Sequence, residues 1–134
     1  MQPYYLVAIV TLLAALAYFW MATQVARTRI RVGILAPAMT GDPVLERTIR
    51  AHVNTLEWMP VFLPSLWLFA IYWSPAVAVG LGLVWIVGRI VYFLGYVAAP
   101  TKRSLGFFIQ AAAVFALLLG ALGRIIYLAV TNAP

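Results

Sequence analysis

AVAVGLGLVWIVGRIVYFLGYVAA, from Ala76 to Ala99, carries a single charge, Arg89, and no alternation of polar with apolar residues. A helix needs about 20 such residues to cross the hydrocarbon core of a bilayer. In lipid only helices and closed barrels satisfy the backbone, and an unbroken apolar run is not the pattern of a barrel strand. Working outward from 76–99, comparable runs cover about 4–26, 44–72 and 104–130. Ser74-Pro75 and Pro100-Thr101-Lys102-Arg103 make the short breaks, and Arg27 to Pro43, with Gly33, Pro37 and Gly41, makes the long one. Short connections place successive helices antiparallel and side by side. The expected fold is therefore an all-α membrane protein, a four-transmembrane-helix bundle.

Composition agrees with that reading. Of 134 residues 66% are hydrophobic and 9% charged, against roughly 25% charged in soluble domains, so one core could not hide the apolar surface. The net charge of +6 lies beside the apolar runs, as topology signals do, and no nucleic-acid partner is expected. With no cysteine there is no disulfide, thiol nucleophile or thiolate metal site. The first run is longer and more aromatic than a signal peptide and has no basic region before it, so it is expected to be retained.

Loop charges orient the bundle. Arg27, Arg29, Arg31, Arg47 and Arg50 cluster around the long loop, and Lys102 and Arg103 in the third connection, whereas the second connection is uncharged. Positive loops stay cytoplasmic, so those two connections are expected in the cytoplasm and both termini on the opposite side.

The chemistry lies at the start of the second helix, ERTIRAHVNTLEWMP, Glu46 to Pro60. Glu46, Arg50, Asn54 and Glu57 follow at spacings of four, four and three, and so share a helix face. Charges at membrane depth are costly and mark functional sites by default. The plainer alternative is an interhelical ladder in which Glu46 pairs with Arg47 or Arg50. On the third helix Arg89, Tyr92 and Tyr96 share a second face, with Glu57 a candidate partner for Arg89; an interfacial aromatic belt is the competing reading of the tyrosines. Gly88 and Gly95 would admit a neighbouring helix closely. Arg103 opens the fourth helix. Lys102 and Arg124 read as interfacial anchors, and Pro60 and Pro64 as bends in the second helix. A lone His52 makes a poor metal ligand, and three acidic residues build no hydrolytic triad or carboxylate pair. Arginines with Asn54, Glu57 and tyrosines suit a small ligand carrying carboxylates, an amine and amides. Arginine forks grip carboxylates, and Glu57 would take the amine.

At these residues the chain resembles the MAPEG family, membrane-associated proteins in eicosanoid and glutathione metabolism. ERTIRAHVNTLEWMP resembles the family signature, and RIVYFLGY followed by Arg103 resembles the third-helix end and catalytic arginine of its glutathione-conjugating branch, the microsomal glutathione S-transferases and leukotriene-C synthases. The resemblance covers nearly the whole chain and implies one integral membrane domain over 1–134, assembled as a homotrimer with glutathione sites between subunits. It implies glutathione binding by Arg50, Asn54, Glu57, Tyr92 and Tyr96 of one subunit, with Arg29 and His52 reaching in from the neighbour. It gives Arg103 the catalytic role of stabilising the glutathione thiolate. His52 stands where glutamine is usual and Trp58 where tyrosine is usual; Trp58 is kept with the glutathione-binding set, though it is expected to pack rather than to hydrogen-bond. Glu46 and Arg89 are left as a structural, ion-pairing set. The implied reaction joins glutathione, the co-substrate, to a lipophilic electrophile from the bilayer, with peroxidase activity toward lipid hydroperoxides beside it and no metal. A glutathione-dependent isomerase of the prostaglandin-synthase type and a non-catalytic lipid-binding adaptor are the alternatives. A small multidrug transporter fits less well, because the first run has no carboxylate.

Overall fold

A computed structural model describes residues 4–132. The expected placement of the two chain ends concerns residues outside that range. Among the described residues four long helices form: α1 (Tyr5–Val32), α2 (Pro43–Tyr72), α3 (Pro75–Ala98) and α4 (Ser104–Thr131), with a 3-10 turn at Pro100–Arg103 before the last. All four are long and apolar enough to span a membrane, α2 being the least apolar because of its polar opening.

α1 runs past the end expected near residue 26. Arg27, Arg29 and Arg31 belong to the helix, since arginine is a good helix former. The first residue able to stop it is Gly33, which adopts φ 73° and donates its N–H to the Arg29 carbonyl, the left-handed close at which glycine is favoured. At 28 residues and ~1.5 Å per residue, α1 exceeds the ~30 Å hydrocarbon core, so its basic turns stand clear of it.

Local capping sets the other ends. Asp42 accepts from the Leu45 N–H at 2.9 Å and Pro43 follows it into α2. Ser74 accepts from the Val77 N–H at 3.2 Å and Pro75 follows it into α3. Proline in the first turn costs nothing, because its missing N–H would have had no partner. Pro60 and Pro64 lie inside α2, where each removes one rung of the helical ladder.

The core sits between α2, α3 and α4, with Phe62 stacked on Trp85 at 3.8 Å above Leu66, Val114 and Leu117, all fully buried. Val7, Val10 and Ala14 bring the inner face of α1 onto this core. Its outer face exposes Leu6, Ile9, Leu12, Leu16 and Phe19. The pairing of α3 with α4 is the most extensive in the fold, and small residues let the two backbones approach closely. A Cβ on Gly88 would stand 2.6 Å from the Gln110 nitrogen, one on Gly95 would strike the Lys102 carbonyl, and one on Gly106 would strike the backbone of Tyr92. The small-residue role expected of Gly88 and Gly95 holds within the chain, and Gly106 answers them from α4.

The opposite end of the bundle is closed by a reciprocal pair of bonds. Trp73 Nε1 donates to the Gly120 carbonyl at 2.6 Å, and Arg124 Nε donates to the Tyr72 carbonyl at 3.2 Å. Arg124 also covers the Trp73 ring at 5.2 Å, so this residue is a clamp as well as an interfacial cation.

Candidate functional site

Where α2 and α4 begin, a cavity of about 390 Å³ opens between α2, α3 and α4. The spacing of four brings Arg50 and Asn54 to it from α2, and the same spacing brings Tyr92 and Tyr96 from α3. The turn and the first helical turns of α4 add Arg103, Ser104, Phe107 and Phe108. Cationic and amide groups thus face phenyl rings across one space. Arg50 and Arg103 are exposed, so their donor forks are accessible to a ligand.

Beneath this wall lies Arg89, 1% exposed. The sequence offered Glu57 as its partner, but Glu57 is exposed and the bonds of Arg89 go elsewhere. Its Nε and Nη2 donate to Thr55 Oγ1 at 3.2 and 2.7 Å, and Nη2 also donates to Asn54 Oδ1 at 3.0 Å. Thr55 in turn donates to the Ala51 carbonyl at 3.0 Å. Its hydroxyl therefore gives one bond and accepts two, its full capacity. The guanidinium lies over the Tyr92 ring, 4.3 Å from Cζ to the ring centre. Arg103 lies over Tyr96 in the same way at 5.2 Å, and the two tyrosine rings are 5.7 Å apart.

A second cavity of about 400 Å³ shares Arg50 and Tyr96 with the first and continues past Glu46, Arg47 and Val53 to Met39 and Thr40 of the long loop. Arg47 donates to the Val97 carbonyl at 3.2 Å, satisfying an end group of α3, so the ladder from Glu46 to Arg47 is not formed. Glu46 is exposed on the cavity wall.

The remaining residues of the sequence-derived set lie outside the first cavity. Arg29 donates to the Ala38 and Ile34 carbonyls and so ties down its own loop. His52 stacks on Tyr18 of α1, ring centres 4.4 Å apart, and its Nε2 is buried with no partner. Trp58 packs edge-on against Phe107 and Phe115 of α4, at 6.2 and 6.1 Å, in keeping with the packing role read for it. Sequence reasoning missed Thr55, Ser104, Phe107 and Phe108. Thr55 falls off the four-residue stripe of Arg50 and Asn54, and nothing in its neighbourhood marks it. Phe107 follows Arg103 at four residues, where helical spacing could have found it, whereas Ser104, one residue on, carries no such signal. Among the described residues no group of three His, Cys, Asp or Glu side chains gathers as a metal site.

A wall of donor groups around a space open to solvent fits an anionic ligand, and the phenyl rings beside it fit an apolar co-substrate. Comparison with known proteins bears on which. The MAPEG family profile matches residues 7–123. An uncharacterized protein of Synechocystis sp. is 43% identical over 120 residues, covering 90% of this chain and 88% of its own. Human microsomal glutathione S-transferase 2 is 41% identical over 119 residues, covering 88% and 81%. Guinea pig (Cavia porcellus) leukotriene C4 synthase is 37% identical over 113 residues, covering 84% and 75%.

Proposed function

Because the chain belongs to the MAPEG family, we propose that it is an integral-membrane glutathione S-transferase, joining the glutathione thiolate to lipophilic electrophiles. The observation that carries this reading is the single cavity lined by Arg50, Asn54, Tyr92, Tyr96 and Arg103. Relatives named microsomal glutathione S-transferase and leukotriene C4 synthase support it.

Glutathione presents two carboxylates, an ammonium, two amides and a thiol. The Arg50 fork suits a carboxylate, Asn54 and the tyrosines suit the amides, and Arg103 meets the sulfur. A thiol of pKa about 8.5 is largely protonated at neutral pH, and a neighbouring guanidinium shifts it toward the thiolate, which is the nucleophile. The thiol proton leaves to solvent through the open mouth. The sulfur lone pair forms the S–C bond, and the electron pair displaced from the electrophilic carbon goes to its leaving group or its conjugated acceptor. Phe107 and Phe108 offer the electrophile an apolar seat beside the sulfur. With a lipid hydroperoxide the same thiolate would attack the terminal oxygen and release an alcohol. A second glutathione would then close the cycle as the disulfide and water.

The mouth of the cavity faces the cytoplasm in this reading, because Arg27, Arg29, Arg31, Arg47, Arg50, Lys102 and Arg103 gather at that end and positive charge stays inside. Arg29 and His52 stand outside the cavity of one chain, as residues that a neighbouring subunit of a homotrimer supplies would, whereas Glu57, expected from the same subunit as Arg50, is exposed outside it.

Turnover of a chromogenic electrophile with glutathione by the detergent-purified protein tests the reading, and absence of glutathione-dependent turnover with glutathione still bound would favour the lipid-binding adaptor. Native mass spectrometry should give a trimer; a stable monomer or dimer would count against it. Labelling of a cysteine placed between Arg27 and Pro43 from outside the cell would reverse the orientation.

A further inference from the structure

We propose that Arg89 is a positioning residue for the ligand: it fixes Asn54 so that the amide nitrogen, and not the oxygen, faces the cavity, and it holds Tyr92 in register with it. This rests on the glutathione reading above for the identity of the ligand.

An asparagine side chain has an acceptor end and a donor end that look alike, and only the hydrogen-bond network assigns them. Here the assignment follows from chemistry. Arginine has five N–H donors and no acceptor. The atom of Asn54 that meets Arg89 Nη2 at 3.0 Å is therefore the oxygen, and the NH2 group is left for the cavity that Asn54 lines. The anchor is held along one edge of its guanidinium, Nη1 being buried with no partner. Thr55 holds Arg89 through both Nε and Nη2, and its own hydrogen is committed to the Ala51 carbonyl. Burial to 1% exposure leaves the guanidinium no water to trade these bonds for.

The same guanidinium covers the Tyr92 ring at 4.3 Å. One buried cation thus couples α2, through Asn54 and Thr55, to α3, through Tyr92. The consequence for recognition is a wall on which Arg50, Arg103 and the Asn54 amide all present donors. Such a wall takes an acceptor-rich ligand, a peptide carboxylate or carbonyl, and rejects an amine at the Asn54 position. Glutathione supplies carboxylate and carbonyl acceptors there; an ammonium group, with donors only, supplies none.

The test uses the full chain in detergent, with glutathione as the probe. Asn54→Asp keeps an oxygen for Arg89 but turns a second oxygen into the cavity. It should fold with a melting temperature at or above the parent's while the glutathione Kd rises at least tenfold. Arg89→Met should raise Kd about tenfold in the parent and by no more than about threefold in an Asn54→Ala background, where only its hold on Tyr92 is left to lose. A purely structural Arg89 would give equal changes in both backgrounds, and that result, or an Asn54→Asp protein binding within twofold of the parent, would overturn the proposal. Should Arg89→Met not fold, the Asn54→Asp result decides alone. Failure of the unaltered protein to bind glutathione overturns the ligand assignment instead, and is seen before any variant is made.

Discussion

The guanidinium of Arg103 lies over the face of Tyr96, 5.2 Å from Cζ to the ring centre. The contact joins the first residue before α4 to the last turns of α3 and holds the cation at the cavity rim, where a glutathione sulfur would lie beneath it. Arg103→Ala should bind glutathione nearly as the parent does but form far less thiolate at neutral pH. A loss of about two pKa units of thiol acidification corresponds to about 2.7 kcal/mol. Ultraviolet titration of the thiolate in the binary complex measures it, and Arg103→Lys should recover part of the shift. An alanine variant with unchanged thiolate pKa and turnover would reduce Arg103 to an interfacial anchor like Lys102.

Arg50 should act on affinity and not on chemistry. Its fork is exposed on a wall common to both polar cavities. A hydrogen bond to a charged group contributes about 1.5–3 kcal/mol, so Arg50→Ala should weaken glutathione binding by at least about tenfold, with kcat at saturation little changed. Calorimetric titration that returns the parent's Kd from a folded variant would remove Arg50 from the site.

His52 should behave as a packing residue. It stacks on Tyr18 at 4.4 Å, and an aromatic pair contributes about 0.5–1.5 kcal/mol beyond its buried area. His52→Gln should lower the melting temperature by a few degrees and leave most turnover intact, whereas His52→Phe should keep the stack and the melting temperature. A collapse of turnover in His52→Gln without loss of stability would show proton-transfer work by the imidazole, since glutamine would keep a contact with glutathione across a subunit boundary.

Gly106 and Gly123 lie on the same helix and should respond oppositely to alanine. At Gly106 the new methyl would meet the rigid backbone of Tyr92, whereas at Gly123 nothing stands within 4 Å. Overpacking costs about 1–3 kcal/mol, so Gly106→Ala should lower the melting temperature and, by shifting Tyr92, weaken glutathione binding. Gly123→Ala should be neutral or stabilising by about 0.5–1 kcal/mol, the helix preference for alanine. Equal melting temperatures for the two variants would refute the close approach of α3 and α4.

Trp73 offers a test of stability apart from activity. Its indole bond to the Gly120 carbonyl is at the end of the bundle away from both polar cavities. Trp73→Phe should cost about 0.5–1.5 kcal/mol, read as a lower melting temperature with glutathione Kd unchanged. A change in Kd would mean that the two ends of the bundle are coupled.

The spans were legible because hydropathy records burial in lipid directly. The end of α1 was not, since Arg27 to Arg31 look like a loop by charge while being good helix formers by propensity, and only Gly33 stops them. In the site, the four-residue stripes of Arg50 with Asn54 and of Tyr92 with Tyr96 were readable from helical spacing, and Arg103 from its place at a helix start. The partner of Arg89 was not readable. Charge pairing favours Glu57 in one dimension, whereas the register between α2 and α3 presents Thr55 and Asn54. That register is set by packing such as that of Phe62 on Trp85, which is a three-dimensional fact. Arg29 and His52 entered the set through family likeness and Glu57 through the helical stripe, and within one chain they face the loop, Tyr18 and the exterior.

The glycine contacts between α3 and α4 have a mechanical consequence. Backbone meets backbone or Cβ at Gly88, Gly95 and Gly106, so Arg89, Tyr92, Tyr96 and Arg103 ride on one stiff jaw. Arg50 and Asn54 ride on the other, the arm of α2 that precedes Pro60. The two ladder rungs missing at Pro60 and Pro64 make the stretch where that arm joins the rest of α2 the least supported part of the helix. Across the gap run the latch bonds from Arg89 to Asn54 and from Arg47 to Val97. The cavity is thus framed by one close-packed pair of elements and one proline-interrupted helix, and substitutions at Pro60 or Pro64 should alter the rates at which the proposed glutathione enters and leaves while the arrangement of Arg103 and the two tyrosines stays as it is.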